Sequence, residues 1–153
     1  MAELAQTVNV LQSLVLTEKD KMLLTPTYYV FDLYKVHQDA KWLPVKFTSP
    51  DYSVGDQKIP AVNISASLDS AGSVHITLVN LNPSANITIN TVLNAVPWKS
   101  VNGQIITSPK LTDINTFDNL YKVHIEKFDG AKKQGSSLNI NLPAKSVVML
   151  ELK

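Results

Sequence analysis

Two alternating apolar runs joined by a turn constrain the fold of this chain more than any other stretch. In residues 62–68 and 73–79, apolar side chains alternate with polar ones, which is typical of strands that bury one face. The residues from Asp69 to Gly72 between the runs favour turns. The pair therefore predicts an antiparallel hairpin at the centre of a sheet with one apolar face. His75 falls on the polar side of the pattern and is expected to face solvent.

Similar short runs continue to the C-terminus and predict an all-β domain over residues 46–153. Asn102-Gly103 is a hairpin turn signal, and residues 129–135 read as a polar loop. Closely spaced strands without intervening helices are typical of a β-sandwich of jelly-roll or immunoglobulin type. The strands are expected near residues 60–68, 74–81, 86–93, 100–108, 121–128, 137–142 and 146–152.

Residues 1–45 follow a different pattern. Residues 3–11 read as a helix from their start, with no N-cap before the stripe of Leu4, Val8 and Leu11, so we expect the chain to begin inside an element. Residues 13–17 are a short apolar run typical of a strand covered on both faces. Helix, buried strand and helix are the units of an α/β barrel or a doubly wound sheet, and one such unit does not bury its own surface.

The second of these helices has a clear start signal. Thr25 suits an N-cap and Pro26 the first helical turn, so a helix is predicted from here through His37. We place the change from α/β to all-β pattern near residue 45.

Composition excludes several function classes. The 14 basic and 13 acidic residues leave a net charge of +1 without a basic cluster, which argues against a nucleic-acid partner. No apolar run approaches the roughly 20 residues of a membrane span, so no membrane partner is predicted. With no cysteine, disulfides and thiolate metal sites are excluded, and the compartment stays open between cytoplasm, periplasm and extracellular space. Any export signal would lie upstream of Met1.

Carboxylates do not form a predicted catalytic pair. Glycoside hydrolysis needs an acid and a nucleophile or base on two carboxyl groups. Glu3 lies in the predicted helix, and Glu126 and Glu151 alternate with apolar strand residues, so these three are expected to face solvent. Glu18 ends a predicted strand, where barrel enzymes place their chemistry, but one carboxylate is not a mechanism. No catalytic residue is predicted.

No metal or cofactor site is predicted either. His37, His75 and His124 lack the spacing of metal ligands on one helix. The acid and amide residues of 113–119 offer oxygen ligands for calcium but lack the EF-hand spacing, and a turn-rich loop is favoured because Asn and Asp favour turns.

Four aromatic residues leave a second function open. Trp42, Tyr52, Trp98 and Tyr121 would suit a flat platform for a sugar ring, as in a carbohydrate-binding module, or would pack at the edge of a core. A cell-surface adhesion domain has only the sandwich pattern in its favour.

The sequence also resembles a known family. The segments that carry the resemblance are residues 4–12, 24–37 (LTPTYYVFDLYKVH), 75–82, 115–119 (NTFDN) and 142–147, in order along the chain. Together they resemble the C-terminal portion of α-L-arabinofuranosidases of glycoside hydrolase family 51. Residues 24–37 and 115–119 are specific, whereas the strand alternation is not.

The resemblance implies a fold and a function. Residues 1–45 would be the last helix, strand and helix of a catalytic (β/α)8 barrel, and residues 46–153 a non-catalytic jelly-roll sandwich that supports it. The whole enzyme would cleave terminal α-L-arabinofuranosyl groups from arabinose-containing polysaccharides by a retaining double displacement, without a metal or other cofactor. Both catalytic glutamates would lie upstream of Met1. Thr25 would match a substrate-contacting position in relatives, although its residue type differs, and its other interpretation is a helix N-cap.

These expectations also concern partners. The barrel of the parent chain would cover Leu14, Val15, Leu16 and the stripe of the first helix. In its absence, residues 1–45 are expected to fold back on the sandwich or to mediate self-association into a homo-oligomer.

Overall fold

The computed structural model describes residues 6–93 and 97–153, and this part of the chain is mainly β, as predicted. Its elements in chain order are β1 (Val15–Glu18), β2 (Lys21–Leu24), α1 (Pro26–Tyr34), a 3-10 turn (Lys35–His37), β3 (Lys41–Trp42), β4 (Asp51–Val54), β5 (Gln57–Pro60), β6 (Val62–Leu68), β7 (Val74–Asn80), β8 (Ile87–Val92), β9 (Val101–Ile106), β10 (Glu126–Lys127), β11 (Ala131–Gln134), β12 (Ser137–Leu142) and β13 (Ser146–Leu152).

The predicted central hairpin is the core of the larger sheet. β6 and β7 pair antiparallel in the register that sets Leu68 opposite Val74. They lie in a six-stranded sheet of order β10-β9-β13-β7-β6-β3, which faces a three-stranded sheet of order β11-β12-β8. The main core between these sheets includes side chains that are completely buried, among them Leu138, Ile140, Leu142, Val148 and Leu150. Burial of these branched side chains drives the pairing of the two sheets.

The outer face of the larger sheet carries a second core. Residues of α1, β9, β13 and the loop 107–125 form it: Tyr29, Leu33, Ile106, Val123 and Met149. β7 is consequently buried on both faces instead of one. The prediction that His75 faces solvent is wrong, since only 6% of this residue is exposed. The alternation did not reveal the covering helical segment, because that segment is distant in sequence.

The start of α1 agrees with its sequence signal. Thr25 is the N-cap and Pro26 occupies the first turn, and the 3-10 turn extends the helical segment to His37. Among the described residues, no helix is long and apolar enough to cross a membrane.

The chain before α1 forms a hairpin: a strand forms close to the predicted one but is not buried on both faces, and the described part of the predicted helix is not helical. Leu4 and Glu3 lie outside the described residues. From residue 6 to 12 the chain makes bends and turns, and the positive φ angles of Asn9 (54°) and Gln12 (62°) are incompatible with an α-helix. The side chain of Asn9 instead binds Thr17, with Nδ2 2.8 Å from Oγ1. β1 pairs antiparallel with β2 and ends at Glu18, opposite Lys21.

Three further sequence predictions need correction. Asn102-Gly103 lies inside β9 and is not a turn, because β9 pairs with β13 along its whole length. The strand predicted over 121–128 is reduced to Glu126–Lys127. The predicted loop 129–135 contains β11, which pairs with β12. In each case the partner strand, and not the local turn propensity, decides the structure.

Candidate functional site

The corner between β2 and α1 carries the predicted substrate residue. Thr25 Oγ1 donates a hydrogen bond to the carbonyl oxygen of Ser13 at 2.9 Å and accepts one from the Tyr28 amide at 3.4 Å. The Thr25 amide donates to the carbonyl of Leu14 at 3.0 Å. Thr25 therefore caps α1 and bonds the start of this helix to the two residues that precede β1. Its contact with substrate stays a prediction.

Asn115 holds the same corner from the other side. Its Nδ2 donates to the carbonyl oxygens of Leu24 and of Val123, both at 2.8 Å. Its Oδ1 accepts the Val123 amide at 2.8 Å. Only 5% of Asn115 is exposed, so its side-chain amide makes these hydrogen bonds in place of hydrogen bonds to water. The sequence predicted a turn-rich loop over residues 113–119. In the structure, Asn115 of this loop hydrogen-bonds to the backbone of Leu24 and Val123.

The loop 107–125 is fixed at a second point by Asp113. Its Oδ1 lies 2.7 Å from Lys122 Nζ, and its Oδ2 accepts the Ser108 hydroxyl at 2.5 Å and the Lys110 amide at 3.0 Å. The hydrogen bond from Lys122, followed by that from Ser108, lowers the pKa of Asp113 to about 2. These contacts occupy both carboxylate oxygens of Asp113, one of the residues that the calcium interpretation involved. Across residues 6–93 and 97–153, no group of three or more His, Asp or Glu side chains is placed to hold a metal ion.

The three described glutamates that the sequence analysis considered lie on or beside different strands. Glu18 is exposed at the tip of the β1–β2 hairpin, and Glu126 is exposed on the edge strand β10. Glu151 is on β13 and its Oε1 lies 3.0 Å from Lys153 Nζ. Each of these glutamates therefore lies on a different element.

His37 and His75 lie in a polar cluster that sequence spacing did not reveal. His37 Nδ1 lies 2.7 Å from Ser67 Oγ, and its Nε2 lies 2.6 Å from Thr77 Oγ1. His75 Nε2 lies 3.0 Å from Asp69 Oδ2. Burial lowers the pKa of His37, and the neighbouring His75 lowers it further, while the hydrogen bond from His75 is the main cause of a lowered pKa at Asp69. Because both ring nitrogens of His37 contact hydroxyl groups and its pKa is lowered, we expect a neutral imidazole with a structural role.

The four aromatic residues do not form a platform. Trp98 belongs to the main core with 8% exposed, and Lys133 Nζ lies 4.5 Å from its ring centroid. Trp42, on the edge strand β3, is 72% exposed. Tyr52 is on β4, and Tyr121 is exposed in the loop 107–125. A buried Trp98 has no face for a sugar ring, so the carbohydrate-binding interpretation is not supported.

Fold and site together define a mainly β domain whose outer face binds an N-terminal hairpin and helix. The sequence profile described as "Alpha-L-arabinofuranosidase C-terminal domain" matches residues 1–146. The chain belongs to this family.

A curated relative and one solved structure agree with this assignment, and a second solved structure shares the fold. The chain is 45% identical to an "Intracellular exo-alpha-L-arabinofuranosidase" of Bacteroides ovatus, covering 100% of this chain and 30% of the relative. The GH51 arabinofuranosidase from Xanthomonas axonopodis pv. citri is 46% identical with a TM-score of 0.94, over 97% of this chain and 30% of that one. AbfB, a family 51 enzyme from Bifidobacterium longum, is similar in fold, with a TM-score of 0.86 and 20% identity over 97% of this chain and 30% of its own. The chain thus spans about 30% of these relatives' length.

Proposed function

We propose that this chain is the non-catalytic C-terminal domain of an enzyme that removes terminal α-L-arabinofuranosyl groups from arabinose-containing polysaccharides. The observation that carries the proposal is the family match over residues 1–146, together with 45% identity to an arabinofuranosidase of which the chain spans 30%. By resemblance, the parent enzyme would use a retaining double displacement without a metal, on glutamates outside this chain.

The role proposed for the domain is mechanical. Residues 1–45 would be the end of the catalytic barrel, and residues 46–153 a jelly-roll sandwich that supports it. Support for this division comes from α1, which buries Tyr29 and Leu33 against Ile106 and Met149 of the larger sheet. A helix that belongs to the barrel and packs on the sandwich would fix the relative position of the two parts.

Thr25 would be the point at which this chain approaches the arabinose pocket. It lies in the loop that follows the proposed last barrel strand, and such loops carry the chemistry of barrel enzymes. Its hydroxyl already serves the helix cap and Ser13, so a substrate contact would add to these bonds. The Thr25 side chain would then both cap α1 and contact the sugar.

Complementation between two separate pieces tests the proposed function. The isolated chain should release no pentose from 4-nitrophenyl α-L-arabinofuranoside, and the remainder of the parent enzyme should be inactive or insoluble by itself. Co-expression of both pieces should restore hydrolysis. Release of pentose by the purified chain alone, with contaminating glycosidases excluded by mass spectrometry, would contradict the proposal.

Residues 1–45 are expected to fold back on the sandwich or to mediate self-association of the isolated chain. Leu11 and Met22 in this segment are 60% or more exposed, and large apolar side chains of this kind are often covered by a partner. We propose that the barrel covers them in the parent enzyme. Sedimentation velocity should therefore show dimers or larger species of the isolated chain that disappear when the remainder of the enzyme is co-expressed.

A further inference from the structure

Asn115 connects two segments that are 91 residues apart through a single side chain. One segment is the loop 107–125 of the β domain, and the other is the end of β2, where the Leu24 carbonyl accepts the bond at 2.8 Å. Thr25 follows directly. A buried amide with both donor directions and its acceptor used is a rigid support, because each lost bond leaves a buried polar group unsatisfied.

The backbone amide and the hydroxyl of Thr25 donate their hydrogen bonds to the N-terminal side of the corner and not to the β domain. The Thr25 amide bonds to Leu14 and the Thr25 hydroxyl bonds to Ser13, so both lead back to the N-terminal hairpin. Among the hydrogen bonds of the described residues, the bond from Asn115 is the one that joins Leu24 to the β domain. Asn115 thus adds a directional hydrogen bond at this corner to the apolar packing of Leu24, Tyr29 and Leu33 in the second core.

The loop that presents Asn115 is itself braced. Asp113, two residues earlier, binds Lys122 at 2.7 Å and Ser108 at 2.5 Å, and Val123 is paired with Asn115 on both its amide and its carbonyl. Asn115 therefore does not move freely with a solvent-exposed loop. It has the rigidity required of a residue that orients a binding group.

We propose that Asn115 is a positioning residue for the arabinofuranosyl pocket of the parent enzyme, acting through the Leu24–Thr25 corner. The inference rests on the proposed function, in which Thr25 approaches the sugar. A misplaced contact group weakens the binding of substrate and transition state alike, so loss of one support bond is expected to raise KM beyond what its effect on stability explains.

The test uses the intact parent enzyme and two matched asparagines. Asn80 resembles Asn115, since its buried side chain donates to the carbonyls of Ala85, Leu142 and Pro143, but it serves the turn after β7 and not the corner. Asn115→Leu and Asn80→Leu should lower the melting temperature similarly. Only Asn115→Leu should raise KM for 4-nitrophenyl α-L-arabinofuranoside, by about 10-fold or more, with a smaller change in kcat.

A second variant covers the case in which the leucine variant does not fold. Asn115→Ser removes the reach to Leu24 and leaves a small hydroxyl near Val123, and it should raise KM in the same direction. An unchanged KM in a folded Asn115 variant, or an equal rise in the Asn80 variant, would overturn the proposal. Either result would mean that Asn115 only stabilises the fold.

Thr25 variants separate failure of this inference from failure of the proposed function. If Thr25→Val leaves KM unchanged while Thr25→Ser also behaves as the parent enzyme, the substrate contact at Thr25 is wrong, and the positioning role fails with it. If Thr25→Val raises KM, Thr25→Ser restores it, and Asn115→Ser has no effect, the contact is supported and the positioning role alone is wrong.

Discussion

The Nε2 atom of His37 lies 2.6 Å from the hydroxyl oxygen of Thr77, forty residues further along the chain. Thr77 is completely buried on β7, and the other ring nitrogen of His37 lies 2.7 Å from Ser67 Oγ on β6. One imidazole thus fastens the end of the helical segment to two adjacent strands of the larger sheet.

Replacement of this imidazole should cost stability. In His37→Leu the buried hydroxyls of Ser67 and Thr77 lose their partner, and we expect the free energy of unfolding to fall by about 1–3 kcal/mol. Urea denaturation followed by tryptophan fluorescence measures the change. His124→Leu is the control and should stay within about 0.5 kcal/mol, because His124 is partly exposed and its Nε2 lies 3.6 Å from Glu126. Equal losses in both variants would show that the bridge has no special role.

The same histidine predicts a pH dependence. Burial and then His75 lower the pKa of His37, so the unfolded chain binds a proton more readily than the folded one. The contribution of His37 to stability is therefore fully present above the ordinary value of 6.5 and is lost as the pH falls through its folded pKa. The titratable side chains near the His37 ring are Tyr34, whose ring centroid lies 5.8 Å from that of His37, and His75 with its partner Asp69.

His37→Gln isolates this contribution from those of the neighbouring groups. Glutamine retains a donor and an acceptor but does not titrate. Between pH 7 and 5, the free energy of unfolding of the original chain should decrease more than that of the variant. Parallel curves for the two proteins would contradict the assignment.

Local sequence signals predicted elements well where the partner was close in the chain. The hairpin of β6 and β7 and the cap of α1 by Thr25 depend on neighbouring residues, and both formed as expected. The burial of His75 and the contacts of Asn115 were missed because they involve distant segments: the helical segment that reaches β7 through His37, and the end of β2. No periodicity in one sequence encodes such contacts.

Asn102-Gly103 illustrates the same limit in a strand. The dipeptide favours a tight turn, yet β9 continues through it because β13 pairs with β9 along its whole length. The glycine is required for another reason: a Cβ on Gly103 would lie 2.6 Å from the carbonyl oxygen of Phe128 and 2.9 Å from its Cδ1. Close approach of Phe128, a long-range contact, therefore explains a residue whose local signal points elsewhere.

Gly103→Ala should consequently destabilise the chain. Relief of the overlap needs a shift of the Phe128 backbone and ring, and overpacking of this kind costs about 1–3 kcal/mol. Thermal unfolding by circular dichroism measures the loss. Gly135→Asn is the control, because its φ of +62° is accessible to asparagine and a Cβ there meets nothing within 4 Å. A Gly103→Ala protein as stable as the original would show that the approach is not tight.

Acid stability should depend on Asp113. Lys122 and Ser108 lower its pKa to about 2 from 3.8, so its contribution is present above pH 3.8 and is lost as the pH falls towards 2. Asp113→Asn should flatten the decline of the melting temperature between pH 4 and 2, while Asp118→Asn, an exposed change in the same loop, should leave the decline as it is. An unchanged decline in Asp113→Asn would mean that other carboxylates control acid unfolding.

Substitution of Trp98 tests whether this aromatic side chain packs in the core or binds a ligand. It is 8% exposed in the main core, and Lys133 donates to its carbonyl oxygen at 2.7 Å while lying over the ring. We expect Trp98→Ala to lower the free energy of unfolding by about 3–5 kcal/mol, whereas Trp42→Ala, at an exposed site, should change it by less than about 0.5 kcal/mol.

Affinity electrophoresis on arabinan and arabinoxylan completes this comparison. Neither substitution should change the mobility of the folded chain, because a ring that fills a core has no surface for a sugar. Retardation of the original chain that disappears in a stable Trp98→Ala protein would instead return the ring to a binding role. Loss of a core indole lowers the free energy of unfolding, whereas loss of a sugar-binding ring changes the mobility on polysaccharide. The two measurements together therefore decide which role Trp98 has.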